Sequence, residues 1–78
     1  MASAMLEKRS LTLSGHATSL ALEPEFWAVI DRAAKEDQLS LARLIARIDE
    51  ERVARAPDQP LSSACRVFAL ERVQKLIP

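Results

Sequence analysis

The chain has 78 residues, 49% of them hydrophobic, so it has room for one domain with a small core. Its eleven basic and eleven acidic side chains cancel, which excludes the strongly basic overall charge of many nucleic-acid binders. The single cysteine, Cys65, excludes an intrachain disulfide, and its separation from the single histidine, His16, gives no metal-ligand spacing. We therefore expect no cofactor and no metal, and we expect self-association to stabilise so short a chain.

Cysteine content and apolar run length bear on cellular location. A lone cysteine fits a reducing compartment, and residues 1–6 lack the apolar run of a signal peptide. No stretch approaches the roughly 20 apolar residues of a membrane-spanning helix. We expect a cytoplasmic protein that does not bind a membrane.

Residues 1–9 are expected to form a flexible basic arm. Lys8 and Arg9 outweigh Glu7 there, and both cations are suited to neutralising DNA phosphates. A solvated arm without a binding role is the alternative interpretation.

Two short stretches with strand character follow the arm. Residues 10–14 alternate polar and apolar side chains, and residues 17–22 place Leu20 and Leu22 on one side. The leucines of the first stretch occupy odd positions and those of the second even positions, so one straight strand would point them to opposite sides. Gly15 lies where the phase changes, which indicates a turn or a bulge. We expect one short strand at residues 17–22 and leave open whether residues 10–14 form another.

Two amphipathic helices are predicted next. Pro24 marks the start of the first helix, which ends near Asp37, and Ser40 is suited to be the N-cap of the second. Arg43 lies in the first turn of the second helix, on its polar side. The apolar stripes of the two helices contain Phe26, Val29, Ile30, Ala33, Ala34, Leu41, Leu44, Ile45 and Ile48.

A third helix is expected after a linker at residues 56–60, where two prolines in four positions break helicity. Ser62 or Ser63 would cap this helix, which is expected to pack on a dimer. The predicted segments are therefore an arm at 1–9, a domain at 10–55, the linker, and a C-terminal helix at 61–78.

A single strand implies a second chain. Its backbone N–H and C=O groups lack partners, and antiparallel pairing of residues 17–22 with the same segment of a second copy satisfies both. We expect a mostly α-helical fold with one short β-strand, in which two chains share an intermolecular antiparallel β-ribbon and one core. The residues predicted for this dimer core are Leu20, Leu22, Phe26, Ile30, Leu41, Leu44, Ile45 and Ile48.

Several segments together resemble a family of short bacterial proteins with an Arc/MetJ-like ribbon-helix-helix domain. The resemblance covers roughly residues 8–72, and the order strand-helix-helix alone would be a weak signal. The segments that carry it are Lys8-Arg9-Ser10-Leu11-Thr12-Leu13, Gly15-His16, Thr18-Ser19, Leu22-Glu23-Pro24-Glu25-Phe26-Trp27, Leu39-Ser40-Leu41, Leu61-Ser62-Ser63-Ala64 and Arg66-Val67-Phe68.

The resemblance implies a homodimeric transcriptional regulator that inserts a β-ribbon into the major groove of double-stranded DNA. It also allows two such dimers to bind side by side on the DNA. Because Leu20 and Leu22 face the core, the three residues that alternate with them face outward. Only Ser19 of these can hydrogen-bond a base, and an alanine offers contact with a thymine methyl group. The predicted DNA-binding residues are Lys8, Arg9, His16, Ala17, Ser19, Ala21, Ser40 and Arg43.

A protein-interaction module is the alternative, for example an antitoxin-like partner that occupies another protein through its C-terminal helix. The zero net charge and the two alanines on the reading face favour it, whereas the basic arm and the arginines of the second helix favour DNA. An enzyme is not expected, nor is a small-molecule substrate. The sequence shows no carboxylate pair, activated nucleophile or glycine-rich phosphate loop.

Overall fold

A β-hairpin forms the N-terminal part of the structure, a computed structural model that describes residues 5–77. Strand β1 (Glu7–Leu13) pairs antiparallel with strand β2 (His16–Leu22). Ser14 and Gly15 close the hairpin with φ angles of 51° and 83°, the positive pair that a type I′ turn requires and that matches the twist of the strands. The prediction of one short strand is therefore wrong, because residues 10–13 belong to a second strand in the same chain.

The register explains the change of phase between the two leucine pairs. Leu11 lies opposite Thr18, and Arg9 lies opposite Leu20, so odd residues of β1 share a face with even residues of β2. The turn, and not a bulge in one strand, reverses the chain and brings Leu11, Leu13, Leu20 and Leu22 to one face, here called the inner face.

The boundary predicted for the flexible arm is too far along the chain. Glu7, Lys8 and Arg9 are strand residues, and the indole Nε1 of Trp27 donates a hydrogen bond to the backbone oxygen of Glu7 at 2.8 Å. The start of β1 is therefore attached to the helical layer. Residues 1–4 of the predicted arm lie outside the described part of the chain, as does residue 78 of the predicted C-terminal segment.

Helices α1 (Pro24–Glu36) and α2 (Leu41–Arg55) begin where the sequence predicted. Pro24 occupies the first turn of α1, where a missing N–H costs nothing. Gln38, with a positive φ of 58°, follows the end of α1. The hydroxyl of Ser40 accepts a hydrogen bond from the backbone N–H of Arg43 at 3.1 Å, which confirms it as the N-cap of α2.

Helix α3 (Leu61–Gln74) follows the predicted linker, but its N-cap is Pro60 and no side chain caps it. The expectation of a cap at Ser62 or Ser63 is wrong, because the proline starts the helix before either serine.

Three arginines hold α3 and its linker in place. Arg52 donates to the backbone oxygens of Pro57 and Gln59, Arg66 pairs with both carboxylate oxygens of Glu23, and Arg72 pairs with Glu36 and Asp37.

The core lies between the inner face of the hairpin and the three helices of the same chain. Helix α2 packs against β1 and α3 packs against β2. Six of the eight residues predicted for a dimer core are buried within one chain, whereas Phe26 and Leu41 are partly buried. Within the chain, β1 and α3 cover these side chains through Leu13, Ala64, Cys65 and Ala69, and their place in a core shared by two chains stays a prediction.

No helix within residues 5–77 is long and apolar enough to span a bilayer.

Candidate nucleic-acid interface

The hairpin presents one face away from the helices. Because side chains alternate along a strand, the residues between those of the inner face point to the opposite side, here called the outer face. Five of its six residues are exposed, and Ala21 is half-buried. Its members are Lys8, Ser10 and Thr12 on β1, opposite Ala21, Ser19 and Ala17 on β2.

Among the described residues, those of the outer face also carry the backbone groups of the sheet that have no hydrogen-bond partner. In a hairpin with a two-residue turn, the pair of residues that flanks the turn is hydrogen-bonded, and non-hydrogen-bonded and hydrogen-bonded pairs alternate from there. Leu13 and His16 form that first, hydrogen-bonded pair, so Ser10 and Ser19 form a non-hydrogen-bonded pair. The peptide groups of the outer-face residues therefore point away from the hairpin. Those of β2 point along one edge of the two-stranded sheet and those of β1 along the other.

Lys8 and Arg9, predicted to act together, lie on opposite faces of the hairpin. Lys8 is exposed on the outer face and makes no ion pair with any residue in the range 5–77. Its ammonium group is available to a phosphate.

Arg9 is held within the protein. Its guanidinium donates two hydrogen bonds to Asp31, at 2.8 and 3.1 Å, and one to Glu7 at 2.7 Å. It also lies over the indole ring of Trp27, 4.3 Å from the ring centroid. The hydrogen bonds to Asp31 raise the pKa of Arg9 most, with a smaller contribution from Glu7. These contacts connect β1 to α1 and leave Arg9 little freedom to contact DNA.

The structure separates His16 from the predicted reading face. His16 lies opposite Leu13 at the tip of the hairpin, and its parity places it on the side of the inner face. Its side chain is exposed there. Ala17, Ser19 and Ala21 are brought together as predicted, but without this histidine.

Ser40 and Arg43 come from the helical layer. The hydroxyl of Ser40 is already used as the N-cap of α2, so an anion at this end would meet backbone N–H groups of the first turn. Arg43 is exposed and forms no ion pair with the rest of residues 5–77. No side-chain hydrogen bond or ion pair within the described part of the chain joins these two residues to the outer face.

Sequence reasoning missed Ser10 and Thr12 as members of the outer face. Their alternation with Leu11 and Leu13 was a strand signal, and Ser14-Gly15 is a turn dipeptide. Reading the two together as a hairpin would have placed both hydroxyls beside Ser19 and Ala17.

The described residues offer no evident site for a metal or for thiol chemistry. Within residues 5–77 no group of three His, Cys, Asp or Glu side chains is placed to hold a metal ion. Cys65 is fully buried, and burial raises the pKa of its thiol to about 11. Its thiol therefore remains protonated and unreactive at neutral pH.

Helix α3 carries exposed apolar side chains on the side that faces away from the core. Val67 and Leu70 have relative exposures of 46% and 54%, and Val73 is also exposed. Val73 and Leu76 line a small groove of about 180 Å³ between α1 and α3. Exposed apolar side chains grouped on one helix are typical of protein-interaction sites, so they bear on the protein-interaction alternative.

Comparison with known proteins agrees with this architecture. The family model described as a ribbon-helix-helix domain matches residues 6–73. Among solved structures, the chain is similar to an uncharacterized protein from Bordetella pertussis Tohama I, with 34% sequence identity and a TM-score of 0.78. The match covers 97% of this chain and 65% of that chain, so this protein spans slightly less than two thirds of its relative's length. No curated protein is significantly similar to the chain.

Proposed function

Because the chain belongs to the ribbon-helix-helix domain family, we propose that it is a homodimeric DNA-binding regulator whose outer face meets the major groove. A ribbon-helix-helix domain suggests a family of DNA-binding regulators, and its members typically form dimers that bind DNA. The observation that carries the proposal is the outer face itself. It consists of small, polar and basic side chains, and the helices lie on the other side of the hairpin.

The dimer contact that we propose is the free edge of β2. Ala17, Ser19 and Ala21 direct unpaired N–H and C=O groups along that edge, and antiparallel pairing with the same edge of a second copy would satisfy them in both chains. With Ser19 on the two-fold axis, Ala17 pairs with Ala21 of the partner subunit. The result is a four-stranded sheet in the order β1-β2-β2-β1.

Selection of binding sites from random duplex DNA at a stated salt concentration tests the DNA-binding part of the proposal. We expect enrichment of a palindromic motif. Ser10→Glu adds a negative charge to the outer face and should weaken binding of that motif at least about tenfold, since it repels phosphate. Ala54→Glu adds the same charge at an exposed position of α2 and serves as the matched control. Equal weak binding to all sequences, or equal effects of the two variants, would refute the proposal.

Proline substitution on the two strands tests the dimer contact. Ser10 and Ser19 lie opposite each other, and the N–H of each points away from the hairpin, so proline at either position keeps the pairing within the chain. Ser19→Pro removes a donor from the β2 edge and should give monomers in sedimentation experiments. Ser10→Pro changes the β1 edge and should leave the dimer intact. A dimeric Ser19→Pro protein with native circular dichroism would exclude pairing through β2.

The exposed apolar side chains of α3 favour a second candidate, an antitoxin-like module that binds another protein. Deletion of residues 56–78 does not separate the two functions, because α3 contributes Cys65 and Ala69 to the core. Exchange of Val67 and Leu70 for serine removes the two most exposed apolar side chains of α3 and leaves its buried side unchanged. A DNA-binding regulator keeps its operator affinity in this variant, whereas an interaction module loses its partner in pull-down experiments. Gln74→Ser is the control.

A further inference from the structure

We propose that the two strands contact different parts of the duplex, an inference that rests on the DNA-binding dimer proposed above. Strand β2 reads base edges, chiefly thymine methyl groups through Ala17 and Ala21. Strand β1 contacts only phosphates. The proposal follows from the width of the sheet and from the side chains that each strand places on the outer face.

The proposed dimer sheet is wider than the groove that receives it. Neighbouring strands lie about 4.8 Å apart, so the outer two of four strands are separated by about 14 Å, whereas the major groove is about 12 Å wide. The two β2 strands lie at the centre, between the groove walls. Because the groove is about 8.5 Å deep, the proposal requires the sheet to curve toward the bases at its centre. The two β1 strands lie outside them, above the phosphate backbones.

The side chains of β1 suit phosphate contact. Lys8 supplies an ammonium group and Ser10 and Thr12 supply hydroxyls, all on the outer face. The N–H groups of the same three residues point along the free edge of β1 and add further donors. Hydroxyls, backbone N–H groups and lysine are among the donors that proteins use on DNA phosphates, and the short side chains of Ser10 and Thr12 allow the backbone to approach closely.

The side chains of β2 suit a methyl group better than a hydrogen-bonded base edge. Among the described residues, the outer-face members of β2 include no arginine, lysine, asparagine or glutamine, the residues that bind the edges of guanine or adenine. Ser19 accepts or donates to any base and therefore selects weakly. Ala17 and Ala21 present methyl groups, and the thymine C5-methyl is the apolar feature of the major groove.

The pairing of the two β2 strands also fixes a spacing. Ala17 with the partner subunit's Ala21 forms one alanine pair, and the symmetric pair lies four residues further along the strand, about 14 Å away. The strands run along the groove, which winds around the helix axis, so each base-pair step along it is longer than the axial rise of about 3.4 Å. The distance therefore corresponds to about three to four steps, and we expect thymines placed symmetrically about a loosely specified centre, about three to four base pairs apart.

Deoxyuridine tests the inference without any change to the protein. The probe is the duplex obtained by selection, with each thymine replaced in turn by deoxyuridine, which lacks only the methyl group. One lost methyl contact is worth about 0.8 kcal/mol, or about fourfold in Kd, and replacement of a symmetric pair should cost about 15-fold. In Ala17→Gly/Ala21→Gly this sensitivity should disappear, whereas Ser10→Ala should retain it. Lys8→Ala should weaken both duplexes equally and make the salt slope of the dimer shallower by about 1.8.

The possible outcomes separate this inference from the proposed function. Specific binding that is indifferent to deoxyuridine at every position, or a selected motif without symmetric thymines, overturns thymine reading and leaves the DNA-binding function intact. Sensitivity to deoxyuridine that persists in the double glycine variant overturns the assignment to Ala17 and Ala21. Absence of any sequence preference in the wild-type protein refutes the proposed function itself.

Discussion

Replacement of Arg9 by alanine should destabilise the fold, whereas replacement of its neighbour Lys8 should not. The guanidinium of Arg9 makes a two-bond ion pair with Asp31 and lies 4.3 Å from the centroid of the Trp27 ring. A partly exposed ion pair of good geometry contributes about 0.5–1 kcal/mol, and a cation–π contact at such a site contributes about as much. Arg9→Ala should therefore lower the free energy of unfolding by about 1–2 kcal/mol. Lys8 makes no such contact, so Lys8→Ala should change it by less than about 0.5 kcal/mol.

Thermal unfolding followed by circular dichroism measures this difference. For a domain of this size, 1 kcal/mol corresponds to a change in Tm of about 4–8 °C, so Arg9→Ala should unfold about 4–16 °C below the wild type. A double-mutant cycle with Asp31→Ala should give a coupling energy of about 0.5–1 kcal/mol. Equal Tm values for the Arg9 and Lys8 variants, with no coupling to Asp31, would refute the interpretation of β1 as a strand anchored to α1.

Three other predictions concern capping, ion pairing and burial. Ser40→Ala removes the N-cap of α2 and should cost about 1 kcal/mol in urea unfolding, with Ser40→Asp close to wild type. Arg66 lowers the pKa of Glu23 below its ordinary value of 4.5, chiefly through their hydrogen bonds. This ion pair therefore contributes its stability above that value and loses it as the pH falls through the lower folded pKa. In Arg66→Met the free energy of unfolding should decrease less as the pH falls into the acid range. An unchanged decrease would contradict the ion pair. The buried Cys65 thiol, with a pKa of about 11, should react with a thiol reagent at pH 8 only as fast as the protein opens, and rapid labelling of the native protein would contradict its burial.

The sequence was sufficient where a local signal acts alone. Pro24 and Ser40 place the starts of two helices because a fixed φ angle and a side-chain cap act within one turn. The outward orientation of Ala17, Ser19 and Ala21 followed from strand alternation with Leu20 and Leu22. These parts of the fold depend on few residues that are close in sequence.

The errors arose where the result depends on contacts distant in sequence. The role of Arg9 is decided by Asp31 and Trp27, which lie 22 and 18 positions further along the chain, and no local pattern indicates that they meet. The burial of the helical stripes within one chain depends on α3, which lies beyond the linker that follows them. A strand that appears unpaired suggests a second chain, and here its first partner is the stretch before Gly15.

The most direct test of the central claim is to map the amide NMR shifts of the protein on addition of a duplex that carries the selected motif. The outer face is predicted to respond first and most strongly, at Lys8, Ser10, Thr12, Ala17, Ser19 and Ala21, while the amides of α3 remain nearly unchanged. Shifts confined to the exposed side of α3, or spread evenly at a non-specific affinity, would contradict the account.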